Sequence, residues 1–395
     1  MTTPDIQACC PVCYSVDLLS VMTVPQVPIH CNILWTSVDE ARSAPKGDIT
    51  LAFCETCGHL FNQTFQPEYM QYEQEYENSL HFSPRFQQYA ETLAAHLINR
   101  YAIREKDIIE IGCGKGDFLR LLCRLGQNRG VGFDRSYEPE FEASPGSEQV
   151  TFVQDFYTPA YAHYPADLIC CQHVLEHIQY PADFLQDIRR CIGGRMQMYV
   201  FFEVPNSLYT LRDLGIWDLI YEHCGYFSAG SLTWLFQRCG FQVNDVRTLY
   251  NDQFLGLESA PVEEHLRVEP EVQALQSTRD YVVQFAQQYK AKVSEWQQML
   301  ATQSQAGKRV VIWGGGSKGV TFLNVLQTQD QISYVVDINP RKVGKFVAGT
   351  GQLIVPPEFL VDYQPDVVLV MNAIYETEIQ QQMQQLGLTA KLFVV

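Results

Sequence analysis

The sequence is poor in basic residues: 28 lysines and arginines stand against 45 aspartates and glutamates, giving a formal net charge of −17. A chain this acidic repels phosphate backbones, so we exclude nucleic acid as a main partner. No stretch approaches the roughly 20 consecutive apolar residues that cross a bilayer. The first residues also lack a basic region followed by an apolar run. We therefore expect a soluble, cytoplasmic protein that has no membrane partner and acts on a small molecule.

Cysteine is concentrated at the start of the chain and is absent after Cys239. Two Cys-x-x-Cys pairs lie about 40 residues apart, and each places two sulfur atoms on one side of a tight turn, as a four-sulfur zinc site requires. In a reducing cytosol such pairs favour metal binding over disulfides. Four thiolates leave no open coordination position, so we predict a structural zinc. The predicted ligands are Cys10, Cys13, Cys54 and Cys57, and we predict no metal contact for Cys9, Cys31 and His59.

At 395 residues the chain is too long for one ordinary core, and its patterns divide it into four parts. Residues 1–75 form the predicted zinc-binding domain. Residues 76–260 alternate strand-like and helix-like segments, which is typical of a parallel sheet flanked by helices. Residues 261–305 are polar with apolar residues at helical spacing, and they predict a helical linker. Residues 306–395 return to the alternating pattern and predict a second, smaller α/β domain.

A glycine-rich loop in the second part carries the most specific signal. Strand-like residues 107–111 lead directly into Gly112-Cys-Gly-Lys-Gly116, and helical periodicity follows. Glycines at such a turn let the backbone pass close to a ligand, and the helix N-terminus presents free N–H groups. The next strand ends in Asp134, about 20 residues further on, where an acid accepts hydrogen bonds from both hydroxyls of a ribose. These features predict a site for an adenosine-containing molecule.

The loop reads Glu-x-Gly-x-Gly-x-Gly, which differs from the Gly-x-Gly-x-x-Gly of dinucleotide folds and resembles motif I of the class I methyltransferases. Those enzymes bind S-adenosylmethionine (SAM). The resemblance implies that Asp134 holds the ribose, that Asp155 contacts the adenine and that His173 lies at the edge of the cofactor. It assigns the methionine part of the cofactor to Glu110, Gly112, Gly114 and Gly116.

Two ionisable residues follow His173 after the fourth strand of this predicted sheet, in the stretch Leu-Glu176-His177-Ile. Class I methyltransferases commonly carry such a stretch there without a catalytic duty. We favour a structural role for Glu176 and His177, with catalysis as the alternative.

A second glycine loop, Gly314-Gly-Gly-Ser-Lys-Gly319, does have the Gly-x-Gly-x-x-Gly spacing, and Asp337 follows about 20 residues later. Taken alone, this pattern predicts NAD. A chain that already uses a methyl donor rarely needs NAD as well. We therefore favour either a site for a substrate phosphate, at Gly316 and Lys318, or a purely structural loop.

The stretch Glu222-His-Cys-Gly-Tyr-Phe-Ser228 lies on a connection over the carboxyl edge of the predicted sheet. Adjacent ionisable residues with aromatic neighbours suit acid–base chemistry there, and a hydrogen-bonded surface turn is the alternative. Together with the cysteine pairs and both glycine loops, this stretch resembles the C-methyltransferases of deoxysugar biosynthesis over essentially the full chain. That family methylates keto-sugars attached to a nucleoside diphosphate.

This resemblance implies an α/β protein with an N-terminal zinc-binding domain, a class I Rossmann-like methyltransferase domain and a C-terminal Rossmann-like domain. It implies that His223 is the general base that removes the proton next to the substrate ketone. Glu222 would orient this base or bind a sugar hydroxyl. Tyr76 falls where the family has a tyrosine over the active site, and we expect Tyr226 to contact the substrate.

Three alternatives stay open at this point. The chain could methylate an oxygen or nitrogen atom of another small metabolite, or it could be an NAD-dependent oxidoreductase that uses residues 314–319. It could also be a binding protein with a relic donor site. We disfavour the last alternative because the glycine loop, Asp134 and Glu222-His223 are all intact.

Overall fold

The computed structural model describes residues 7–70, 77–137, 147–263, 268–328 and 330–395. The strands within these ranges are, in chain order, β1 (Leu18–Pro28), β2 (Lys46–Cys54), β3 (Leu60–Asn62), β4 (Asp107–Ile111), β5 (Arg129–Phe133), β6 (Val150–Val153), β7 (Leu168–Gln172), β8 (Tyr199–Pro205), β9 (Gly225–Tyr226), β10 (Phe241–Leu249), β11 (Phe254–Pro261), β12 (Val310–Trp313), β13 (Tyr334–Val336), β14 (Leu353–Val355), β15 (Val367–Val370) and β16 (Lys391–Val394).

The helices of the described residues are α1 (Val38–Arg42), α2 (Pro84–Tyr101), α3 (Asp117–Gly126), α4 (Pro181–Ile192), α5 (Ser207–Arg212), α6 (Ala229–Arg238), α7 (Val272–Gln305), α8 (Ser317–Leu326), α9 (Leu360–Tyr363) and α10 (Glu376–Gln385). None of these helices combines the length and the apolar character that crossing a bilayer demands.

The central sheet has the strand order β10-β11-β8-β7-β4-β5-β6. Strands β6, β5, β4, β7 and β8 are parallel, and β11 runs antiparallel between β8 and β10. The chain leaves β4 toward β5 on one side, while β7 lies on the other side of β4. Ligands bind outside the carboxyl ends of the strands at such a switch point. The loops after β4 and β7 are therefore the expected position of a cofactor, and the Rossmann-like fold predicted for this part is confirmed.

The C-terminal sheet repeats this arrangement on a smaller scale. Its five strands are all parallel, in the order β14-β13-β12-β15-β16. Strand β12 is central and ends at Trp313, so the second glycine loop starts at the switch point of this sheet. The second α/β unit predicted from the alternating pattern is present.

The N-terminal sheet is antiparallel, with the order β1-β2-β3-β9. Its last strand comes from a distant part of the chain, because β9 consists of Gly225 and Tyr226, directly after Glu222-His223. Leu60 pairs with Tyr226 in this register. The N-terminal sheet therefore holds the segment that carries the predicted catalytic residues.

One hydrophobic core connects the N-terminal sheet with the C-terminal sheet. It contains residues of β1 and β2, of the segment 211–226, of the long helix α7 and of the C-terminal strands. Phe285 of α7 and Tyr221 are both almost fully buried in it. Most of the predicted linker is thus one helix, α7, that packs against this core. Arg279 on this helix forms an ion pair with Glu55, which lies within the second cysteine pair.

Candidate active site

The glycine loop after β4 and the acid after β5 are joined by a hydrogen bond. The backbone N–H of Gly114 donates to Asp134 Oδ2 over 2.8 Å. The other oxygen, Oδ1, accepts from the backbone N–H and the hydroxyl of Ser136, at 2.8 and 2.7 Å. These bonds hold the Asp134 carboxylate at the carboxyl edge of the sheet, beside the loop, where the donor ribose is expected.

The three glycines of the loop all have positive φ, between 52° and 78°, a conformation that costs other L-residues free energy. A Cβ atom on Gly112 would lie 2.2 Å from Val174 Cγ2, because the loops after β4 and β7 are packed against each other. A Cβ atom on Gly114 would meet no atom within 4 Å. The space over Gly114 is open, so the loop forms a cradle that a ligand can approach closely.

Glu110, at the end of β4, is buried beneath this loop. Burial raises the pKa of its carboxyl group well above the usual range, and its Oε2 has no hydrogen-bond partner among the described residues. A buried polar atom without a partner is costly and suggests a missing ligand or water. Asp155, by contrast, is exposed, and it accepts hydrogen bonds from the Tyr161 hydroxyl and the Phe156 N–H.

A cavity of about 340 Å³ lies beside the turn after β7. It lies where the central sheet, the N-terminal segment and the C-terminal sheet meet. Its lining includes His173, Glu176, His177 and His223 from the central part, Asn32 from the N-terminal part, and Gly316, Lys318, Asp337 and Asn372 from the C-terminal part. The structure thus brings both predicted histidines, His173 and His223, to one space with the second glycine loop.

His223 lies at the wall of this cavity beside His177. The two rings are 5.0 Å apart and nearly perpendicular. Burial and the neighbouring His177 lower the pKa of His223 to about 4, although Glu176 and then Glu222 act in the opposite direction. The ring is therefore neutral at pH 7 and able to accept a proton, as a general base must be.

Glu176 completes this group. One donor atom from each of Glu176, His177 and His223 lies within 4.8 Å of the other two. Sequence reasoning favoured a structural role for Glu176 and His177, whereas the structure places both on the cavity lining. Nothing in the sequence indicated that these two residues lie close to His223, because they lie on a different connection of the sheet from His223.

His173 adopts a positive φ of 55° directly after β7. Its Nε2 lies 3.0 Å from Glu203 Oε1, and its Nδ1 lies 3.6 Å from Glu176 Oε1. Burial alone would lower the pKa of His173, but the two carboxylates outweigh it and raise the pKa to about 10. His173 is therefore an imidazolium that two carboxylates share at the floor of the cavity.

Glu222 and Tyr226 are more deeply placed than a substrate contact would require. Glu222 is fully buried; its Oε2 accepts a hydrogen bond from the Cys31 N–H at 3.0 Å and its Oε1 lies 3.8 Å from His30 Nδ1. The hydroxyl of Tyr226 donates to the Ile220 carbonyl oxygen at 3.3 Å. Neither residue is part of the cavity lining. Tyr76 lies outside the described residues.

The second glycine loop has the same internal bond as the first. The N–H of Gly315 donates to Asp337 Oδ2 over 2.8 Å. Lys318, which begins α8 with Ser317, projects into the cavity, and its Nζ lies 3.2 Å from Asp218 Oδ2 and 3.3 Å from Gln253 Oε1. Asp218 therefore partly neutralises the lysine that the sequence assigned to a substrate phosphate.

The four predicted metal ligands lie together at the base of the N-terminal sheet. The Cys10 and Cys57 sulfurs are 3.6 Å apart, and the Cys13 and Cys54 sulfurs are 3.4 Å apart. All four sulfurs lie within 4.8 Å of one another. Zinc–sulfur bonds of about 2.3 Å in a tetrahedron need sulfurs at such separations. The arrangement fits a zinc ion.

The comparisons with known proteins agree with this architecture. Residues 86–246 match a family described as methyltransferase domain, and residues 255–395 match the C-methyltransferase C-terminal domain. The C-methyltransferase NovU of Streptomyces niveus is 24% identical to this chain over 400 residues, which cover 94% of this chain and 90% of that protein.

Two solved structures each resemble part of the chain. A putative S-adenosylmethionine-dependent methyltransferase from Listeria monocytogenes has 14% identity and a TM-score of 0.35, covering 45% of this chain and 100% of its own. Magnesium protoporphyrin IX methyltransferase of Synechocystis PCC 6803, with bound SAH, has 16% identity and a TM-score of 0.34, covering 45% and 83%.

Proposed function

Because the chain is an S-adenosylmethionine-dependent methyltransferase with a C-terminal domain of the C-methyltransferase type, we propose that it methylates a carbon atom next to the ketone of a nucleotide-linked keto-deoxysugar. The observation that carries this proposal is the neutral His223 on the wall of a cavity that also contains the second glycine loop.

Methylation of a carbon atom needs a base, whereas methylation of a nitrogen atom needs one much less. A carbon next to a ketone becomes nucleophilic only when its proton is removed, whereas an amine already offers a lone pair. His223 accepts this proton, the electrons of the C–H bond form an enolate, and the carbon then attacks the methyl group of the donor. Breaking of the carbon–sulfur bond releases S-adenosylhomocysteine (SAH). The lowered pKa of His223 keeps the ring in the accepting form.

The donor supplies a methyl group bound to a positively charged sulfur. Asp134 is the residue we assign to its ribose, and the open backbone at Gly114 is the surface we assign to its methionine part. Glu110 lies beneath this surface with an unpaired oxygen. Asp155 at the end of β6 and His173 at the end of β7 complete the assigned set. Both β4 and β7 end at the switch point, which supports this placement.

The nucleotide part of the substrate is assigned to the C-terminal side of the cavity. Gly316 and Lys318 lie there, at the start of α8, and the first N–H groups of a helix suit a phosphate oxygen. A phosphate would compete with Asp218 for Lys318, which lies 3.2 Å from that carboxylate. Asp337 at the end of β13 suits a ribose hydroxyl, by the same logic as Asp134.

In this proposal, Glu222 and Tyr226 hold the segment that carries His223 in place and do not contact the substrate. The carboxylate of Glu222 joins the base segment to Cys31, and the hydroxyl of Tyr226 closes the same segment on Ile220. Zinc bound to Cys10, Cys13, Cys54 and Cys57 would fold the N-terminal sheet that carries β9. Tyr76 remains a proposed active-site residue from the family resemblance alone.

The test combines donor binding with a substrate panel. Calorimetry of the metal-replete protein should show SAH binding and no NAD binding. Methyl transfer from labelled SAM should then be measured with 4-keto-6-deoxyglucose attached to thymidine or uridine diphosphate. The product carbon should carry the label in its NMR spectrum.

His223→Ala should abolish transfer and leave SAH affinity within about twofold, since the base contributes to the chemical step alone. Labelling of an oxygen or nitrogen atom, or retained transfer by His223→Ala, would overturn the proposal. NAD binding with hydride transfer would favour the oxidoreductase alternative, which the bond between Gly315 and Asp337 keeps worth testing.

A further inference from the structure

Glu176 is a carboxylate that neither the donor site nor the proposed base uses. It is 1% exposed and lies on a short turn directly after β7. A buried carboxylate costs free energy unless other groups compensate for it. Its side chain lies at the cavity lining, next to His177 and His223.

Two hydrogen bonds fix this turn against the segment that carries the base. The Cys224 thiol donates to the backbone carbonyl of Glu176 at 3.4 Å. The ring N–H of His177 at Nδ1 donates to the backbone carbonyl of Glu222 at 2.8 Å. These bonds hold the backbone of the turn against the segment of His223, and a carboxylate oxygen of Glu176 lies within 4.8 Å of a ring nitrogen of His223.

The group formed by His173, Glu176 and Glu203 has one negative charge in excess. His173 is the cation there, and its ring is shared by Glu176 and Glu203. Two carboxylates around one imidazolium have a net charge of −1. Burial alone would raise the pKa of Glu176, but the charged His173 ring lowers it, so the group stays ionised.

The groups that face His223 are His177, Glu176, Glu222 and His173. Glu222 accepts a hydrogen bond from the Cys31 N–H and lies beside His30, on the side of the N-terminal segment. Glu176 has an oxygen, Oε2, with no hydrogen-bond partner among the described residues, and unlike Glu222 it lies on the cavity lining. Of the two glutamates, Glu176 is therefore the one that remains available for a charge that develops on the base.

We propose that Glu176 is a positioning residue for the reaction: its carboxylate stabilises the imidazolium that forms when His223 takes the substrate proton. This inference rests on the proposed function. The proton moves from the substrate carbon to the His223 ring, the C–H electrons stay on the substrate as an enolate, and the ring later returns the proton to water. Opposite charges a few ångströms apart in a buried site stabilise such a state.

The test uses two pairs of variants that differ in charge at constant shape. Glu176→Gln keeps the size of the native side chain, and Glu176→Asp and Glu176→Asn are a shorter charged and a shorter neutral variant. The measured step is exchange of the proton next to the ketone of thymidine diphosphate-4-keto-6-deoxyglucose in D₂O without methyl donor. Calorimetry with SAH reports whether the fold and the donor site are intact.

We expect Glu176→Gln to lower the exchange rate about 10- to 100-fold. Glu176→Asp should exchange faster than Glu176→Asn, with SAH affinities within about twofold in all variants. A role in packing alone would make Glu176→Gln faster than Glu176→Asp, because Gln fits the native space better than Asp does, and it would give Asp and Asn equal rates. Equal rates for Asp and Asn would overturn the inference even where Glu176→Gln does not fold.

Glu203→Gln is the matched control, since it removes the other carboxylate that His173 contacts. If this variant reproduces the loss, the effect acts through His173 and the inference is wrong. If the wild-type protein exchanges no proton, or if His223→Ala exchanges at the wild-type rate, the proposed function fails and not the role of Glu176 alone.

Discussion

The ring nitrogen Nδ1 of His177 lies 2.8 Å from the backbone carbonyl oxygen of Glu222. A carbonyl oxygen only accepts, so Nδ1 carries a hydrogen. The bond joins the turn after β7 to the segment before β9. It therefore couples the central sheet, which holds the proposed donor loop, to the N-terminal sheet, which holds the segment of the proposed base, His223.

His177→Ala removes this connection and one ring from the cavity wall. We expect the turnover number to fall about 10- to 100-fold, because His223 loses the neighbour that orients it. SAH affinity should stay within about twofold, since the donor loop is not touched. His163→Ala, an exposed histidine beside Ala160, is the matched control. Wild-type turnover in His177→Ala, measured by methyl incorporation, would contradict this role.

The pH dependence of turnover follows from the lowered pKa of His223. A base acts in its deprotonated form, and a pKa of about 4 leaves the ring deprotonated at every pH above about 5. The value of kcat/KM should therefore show no acid limb from this residue between pH 6 and pH 8. The measurement is a pH profile with SAM held in excess. The wild-type profile could instead show an acid limb near pH 6.5, the ordinary pKa of histidine. If the residual activity of His223→Gln lacks this limb, burial does not control the pKa of His223.

Alanine substitutions of the loop glycines Gly112 and Gly114 cause similar backbone strain but place the new methyl group in different surroundings. Gly112 and Gly114 both have positive φ, so an alanine at either position costs about 1 to 2 kcal/mol. Gly112→Ala adds a collision with Val174 and should lower the melting temperature further than Gly114→Ala does. Gly114→Ala fills the open space above the loop and should weaken SAH binding by about 10-fold or more.

Thermal unfolding and calorimetry on the two variants separate these effects. Equal loss of stability in both would mean that the contact with Val174 relaxes freely. Unchanged SAH affinity in Gly114→Ala would remove the donor from this part of the loop.

Sequence reasoning succeeded where the signal is local. The glycine loop, Asp134 and the second loop with Asp337 each follow a strand at a short, fixed distance, and the switch-point geometry places them without further information. The four cysteines were also found locally, because each pair forms its own turn. Their approach to one another follows from pairing of β2 with β1 and β3.

The relationships that sequence reasoning missed are between distant segments. Glu176 and His177 lie on the turn after β7, and His223 lies 46 residues beyond His177, on a connection that the N-terminal sheet captures through β9. No periodicity encodes which side chains of two connections face one cavity. The same reason explains why Glu222 and Tyr226, adjacent in motif to His223, point into packing contacts. Side-chain direction on a connection depends on tertiary contacts.

Zinc should be required for the N-terminal sheet and not for the chemistry itself. Cys10→Ser removes one of four sulfurs, and we expect less than one zinc per chain by metal analysis and a melting temperature lower by about 5 to 15 °C. Cys9→Ser is the matched control, because Cys9 is adjacent in sequence and outside the four-sulfur cluster. Full zinc content in Cys10→Ser would show that another residue completes the site.

The ion pair between Lys318 and Asp218 predicts opposite changes in KM when either residue is replaced by a neutral one. Asp218 lies 3.2 Å from the lysine and would compete with the proposed substrate phosphate for it. Asp218→Asn removes a negative charge from the cavity and should lower KM for the nucleotide sugar about 3- to 10-fold, whereas Lys318→Met should raise it by a similar factor. The turnover number should change little in both, because neither group takes part in proton removal.

Steady-state kinetics at two salt concentrations tests whether the charge of Lys318 attracts the substrate. Salt screens the attraction between a partly exposed ammonium group and a phosphate, so KM of the wild-type protein should rise with ionic strength, and KM of Lys318→Met should rise less. If Lys318→Met has the KM of the wild-type protein, the lysine serves to hold Asp218 and Gln253 in place. The nucleotide would then be held by backbone N–H groups at the start of α8 without help from a charged side chain.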